Sequence, residues 1–105
     1  MRRGEIMDIT EDIKICEDIK KQHRTLTTES TEKAFKLSQL AISMYDRLNE
    51  LRLYASVADK KELGKYNKSD LKEYLRGKMK LMEYIHVQSR AIFLSEKADK
   101  KLGRY

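Results

Sequence analysis

The residues of this 105-residue chain best suited to catalysis or metal binding are two histidines, one cysteine and seventeen carboxylates, and their spacing supports neither role. His23 and His86 lie far apart, and neither belongs to an HxxxH or HExxH pair, the spacing that brings helical ligands onto one metal. Cys16 has no second cysteine with which to form a disulfide, a redox pair or a metal site. It falls in register with Ile9 and Ile13, so it reads as a buried, inert thiol. Glu11, Asp12, Glu17 and Asp18 stand among lysines, the pattern of a solvated polar face. There is no glycine-rich phosphate loop, nucleophile elbow or CxxC. The expectation is a protein that is not an enzyme and needs no metal or cofactor.

The cations are more informative. The net charge is +6, and it is unevenly placed. Residues 1–27 carry six basic and six acidic side chains, and residues 28–59 carry four and five. Residues 60–80 carry eight basic against three acidic, and the remainder five against three. A one-sided excess of this kind is the footprint of a polyanion site, although a lysine-rich solvated helix face gives the same count. Lys61, Lys65, Lys68, Lys72 and Arg76 are the candidate nucleic-acid contacts. Tyr66 sits in the connecting turn and is the aromatic candidate for recognition, whereas Tyr74 and Tyr84 read as boundary residues with packed rings.

The elements that must position these groups are all helical: an antiparallel bundle of three to four helices in one domain, with a long central hairpin. The chain has no proline, only four glycines and many strong helix formers. Ile9, Ile13, Cys16 and Ile19 form the stripe of a first helix, with Asp8 and Glu11 spaced as a capping box and an end near His23. Thr28 or Ser30 caps a second helix whose stripe is Ala34, Leu37, Ala41, Met44, Leu48, Leu51, Ala55 and Ala58. Phe35, Leu40, Ile42, Tyr45 and Leu53 widen that stripe, which predicts contact from more than one side and self-association into a homo-oligomer. This helix is expected to reach Leu63, with Gly64 as its stop. Asn67 or Ser69 caps the next helix, built on Leu71, Leu75, Met79, Met82 and Ile85, and Gly77 marks a possible close helix approach. A bend at 86–88 would make four helices, and its absence three.

Residues 1–7 are expected to be disordered, with Met7 a natural start in a bacterium or its phage. Ala-Asp-Lys-Lys recurs at 58–61 and 98–101, each followed by Leu-Gly-basic-Tyr, which two similarly capped helix ends explain. No run approaches the roughly 20 apolar residues of a membrane span, and no apolar signal core opens the chain, so a cytoplasmic location is expected.

The segment Val87-Gln88-Ser89-Arg90-Ala91-Ile92, with Ser95-Glu96-Lys97-Ala98 and Leu102-Gly103-Arg104, resembles the last helix of a family of four-helix-bundle proteins. That family includes the ribosomal-RNA intervening-sequence proteins and the accessory variability determinants of diversity-generating retroelements. Thr27-Thr28 stands where the family has Phe-Pro, and Ile92 where it usually has an aromatic residue. The resemblance implies a basic, non-enzymatic, ring-forming bundle that binds RNA or DNA and assists a reverse transcriptase. The alternative is a bacterial or phage protein-interaction module, an inhibitor or helical-hairpin partner, that binds another protein through apolar helix faces.

Overall fold

The computed structural model describes residues 5–27 and 29–101, the last six of these by their backbone alone. It is an all-α bundle of α1 (Thr10–Arg24), α2 (Thr31–Val57), the single turn α3 (Lys60–Leu63) and α4 (Lys68–Lys101). The molecule is a rod of 59 × 20 × 20 Å. That length follows from α4, whose 34 residues span about 50 Å at helical rise.

α2 and α4 form the expected hairpin. Lys68 Nζ donates to the Ser56 carbonyl at 3.4 Å, His86 Nδ1 lies 2.9 Å from the Ser38 carbonyl, and the Phe35 and Phe93 rings are 4.9 Å apart. As α4 advances, its partners on α2 recede, so the helices are antiparallel. α1 lies in the seam between them. Its Asp12 pairs with Arg47 of α2, its Glu17 with Lys78 of α4, and its His23 ring meets Tyr84 edge-on at 5.8 Å.

The apolar stripes carry the packing. The seven stripe positions within α2, Ala58 just after it and all five of α4 are buried, as are Ile9 at the start of α1 and Cys16 and Ile19 within it. Burial pushes the Cys16 thiol above its ordinary pKa, as a desolvated thiolate requires. Ser89 is fully buried on α4, and its hydroxyl is without a hydrogen-bond partner. The wider apolar face of α2 is different. Tyr45 packs against the core, but Phe35, Leu40 and Leu53 are exposed, so the second contact side expected for this helix is largely open.

Four local features depart from the sequence pattern. α2 stops at Val57, six residues before Leu63, because Ala58 turns extended (ψ 142°) and Asp59 starts a new turn. There the Asp59 carboxylate accepts from Glu62 N at 2.8 Å, and the Glu62 carboxylate accepts from Asp59 N at 3.0 Å. This reciprocal cap competes successfully with one more turn of α2. Gly64 does take the positive φ expected of it (61°), but it closes α3. Asp8 forms no capping box with Glu11; it accepts from the Thr10 hydroxyl and Thr10 N, which holds its carboxyl below the usual pKa.

Residues 5–7 also belong to the fold. Met7 is buried in the core and its N–H donates to the Glu62 carbonyl at 2.8 Å, while the Tyr54 hydroxyl shares its one hydrogen between the Glu5 carbonyl at 2.9 Å and the Glu62 carboxylate at 3.0 Å. Residues 1–4, Thr28 and the second Leu-Gly-Arg-Tyr lie outside the described residues.

α4 runs unbroken through 86–88, so the structure has three long elements and one turn, without a joint near Val87. Gly77 is not a point of close approach: a Cβ built there meets nothing within 4 Å. Gly77→Ala is therefore expected to stabilise the protein by about 0.5–1 kcal/mol, by lowering the entropy lost on helix formation. A higher urea midpoint with an unchanged slope would register it, and a lower midpoint would show that a neighbour occupies the space.

Candidate nucleic-acid interface

The basic end of the rod is built by α3, the turn after it and the first turns of α4. Asn67 caps α4 through its side chain, which accepts from Asp70 N at 3.1 Å, so the helix starts with Lys68 in its first turn. Lys68, Lys72 and Arg76 follow at four-residue steps, about 40° apart around the axis, and form one strip. Lys61 on α3 and Lys65 in the turn stand at the same end. All five are exposed or half-exposed, and none makes an ion pair with a described carboxylate.

Helical phase places the strip relative to α1. Ser38 and Ser56, which meet α4, are 18 residues apart, or five full turns, and so share one side of α2. Arg47, which reaches α1, is nine residues from each, half a turn out of phase. Lys68 therefore begins on the back of the hairpin, away from α1, and Lys72 and Arg76 wind further outward. Lys78, by contrast, faces α1 and is paired there with Glu17 at 3.4 Å. A shallow hollow of about 650 Å³ is lined by Asn67, Lys68, Ser69, Lys72, Glu73 and Arg76. All six come from one helix and the residue that caps it, so this is an open surface and not an enclosed site.

Asp8 lies close enough to Lys65 to feel its charge, while the other acidic residues of this region lie mostly off the strip. Glu62 is turned inward, buried, and committed to Asp59 N and the Tyr54 hydroxyl. Asp70 lies two residues from both Lys68 and Lys72, roughly 200° around the helix from each. Glu73 alone borders the strip.

Tyr66 does not take the place expected of it. Tyr66 is half-buried and packed against the core, with Lys65 Nζ 5.4 Å from its ring centre, so it is not the free stacking surface expected in the turn. Tyr74 and Tyr84 are 41% and 53% exposed. Tyr74 lies beside Lys78 (5.6 Å) and Tyr84 against His23, both toward α1.

Arg52 was missed. The register that puts Ser56 beside Lys68 brings Arg52, one turn earlier on the same side of α2, level with Lys72. It is half-buried and donates to the Asn49 side chain at 3.0 Å. Nothing in the local sequence marks it, because its position depends on the hairpin register.

Among the described residues, no group of three or more His, Cys, Asp or Glu side chains could hold a metal ion, and no helix is long and apolar enough to cross a membrane. No protein-family model, curated protein or solved structure matches the chain. The fold defines its class, an all-α bundle with one long antiparallel hairpin.

Proposed function

We propose that this chain is a non-enzymatic nucleic-acid-binding bundle that acts through its basic end, with Lys61, Lys65, Lys68, Lys72 and Arg76 contacting phosphates. The observation that carries this reading is the strip on α4. Its three cations share one open face with no carboxylate partner, whereas cations on the inner seams, Arg47 and Lys78, are paired. Unpaired surface cations at regular spacing release counterions when phosphates replace their ionic atmosphere. Tyr66 contributes to this end by packing beneath Lys65, and not by stacking on a base.

The test is direct. The protein should bind generic RNA or DNA at about 50 mM salt, and log affinity should fall linearly with log salt by about 0.7–0.9 per phosphate contact. No binding at low salt would dismiss the reading.

A second reading has its own observation. Phe35, Leu40, Leu53, Val57, Val87 and Leu94 are large apolar side chains left exposed on a small protein. They favour a protein-interaction module or self-association through α2 and α4. Sedimentation at micromolar concentration tests the latter, with a monomer as the opposing result.

A further inference from the structure

We infer that the ligand of the basic strip is a double helix read through its phosphates, and not a single strand. The inference rests on the nucleic-acid reading above and concerns what that same surface can distinguish.

Two physical properties separate the ligands. Single strands are held by a charged groove that follows the backbone and by aromatic rings that stack the bases. A duplex hides its bases, carries more charge per unit length, and is held by cations set against a regular array of phosphates. The strip has the second character. Lys68, Lys72 and Arg76 lie along one helix over about 12 Å, and the shallow hollow they border is lined by that helix and its capping residue alone, with no second wall to make a groove.

The rings are in the wrong places for stacking. Among the described residues, the exposed aromatic side chains are Phe35, Tyr74 and Tyr84. Phe35 is occupied by Phe93 at the opposite end of the hairpin. Tyr84 meets His23 on the α1 side. Tyr74 is two residues from both Lys72 and Arg76, which puts it about 200° around the helix from each. Tyr45 and Tyr66 are half-buried and packed against the core. Among the described residues a strand laid on the cations would find no exposed ring for its bases, so the stacking of about 1–3 kcal/mol per base that favours single strands is lost. What remains is attraction to charge density, and the duplex has more of it. Contacts to phosphates carry no sequence information. Sequence should therefore matter little, and duplexes of DNA and RNA should be treated alike.

The full chain would be titrated by fluorescence anisotropy against one sequence of about 20 base pairs as DNA duplex, as RNA duplex and as each single strand. At about 50 mM salt both duplexes should bind at least tenfold more tightly than either strand, and within about fivefold of each other. Tyr74→Ala and Tyr84→Ala should leave every affinity within about twofold, because neither ring stacks on a base. Tighter binding of a strand, a strand affinity that falls with either tyrosine variant, or a preference beyond about tenfold between the duplexes would overturn the inference. The nucleic-acid reading would survive those outcomes. Absence of binding to all four ligands would overturn both.

Discussion

Leu48→Ala is expected to lower stability by about 2–5 kcal/mol, a large share of the roughly 5–15 kcal/mol that a domain of this size possesses. Leu48 is 2% exposed and lies mid-way along α2, one turn from Met44 and three residues from Leu51. The residue next to it, Arg47, is tied to Asp12 of α1. Truncation there opens a cavity lined by residues that cannot collapse, since rigid helices hold the surrounding positions. The melting temperature should fall by about 10 °C or more, from the 4–8 °C per kcal/mol typical of small domains. The fitting control is Leu53→Ala. It removes the same atoms from the same helix five residues on, but Leu53 is 52% exposed, so the loss should stay below about 1 kcal/mol. Equal losses at the two positions would mean that the helix presents a different face to the core.

That pair also shows what could be read from sequence. The phase of α2 was legible because one periodicity of 3.6 runs unbroken from Ala34 to Ala55, and a single phase accounts for every buried leucine in it. The end of the helix was not. Lys60, Lys61, Leu63 and Gly64 suit the last turn of a long helix as well as they suit a separate turn. Only the reciprocal bonds of Asp59 and Glu62 decide between the two, and Asp-x-x-Glu inside a helical pattern is easily taken as surface charge. The burial of Met7 was hidden for another reason. Its partner is a backbone carbonyl 55 residues away, which no local pattern encodes.

The candidate site divides in the same way. The spacing of Lys68, Lys72 and Arg76 is a local property, and the helix delivers it as one strip. Which of the neighbouring aromatics face outward depends on where α1 settles in the seam of the hairpin. Tyr66, expected outside, packs against the core, whereas Tyr74 and Tyr84 are boundary positions, partly exposed with a neighbour against each ring. Glu62 follows the same logic: it counts as a surface charge in the sequence, yet it is spent on a cap and a tyrosine hydroxyl.

Replacing Lys68, Lys72 and Arg76 together with glutamine should reduce nucleic-acid affinity by about ten- to a hundredfold near physiological salt. The slope of log affinity against log salt should flatten by about 2–3, close to one unit for each phosphate contact removed. Glutamine is neutral and close to these side chains in helix propensity. None of the three makes an ion pair, so the melting temperature should stay near that of the parent protein. Lys68 also loses its contact with the Ser56 carbonyl, a long bond at 3.4 Å on the exposed surface, whose loss should cost little. The comparison is Lys14→Gln with Lys20→Gln on α1, where basic and acidic residues balance and a smaller loss is expected. Similar losses per charge from both sets would show that the protein attracts polyanions through its net charge alone. A flattened slope confined to the α4 set would locate the contacts on the strip, because counterion release counts the phosphates that a surface touches and not the distant charges that steer it.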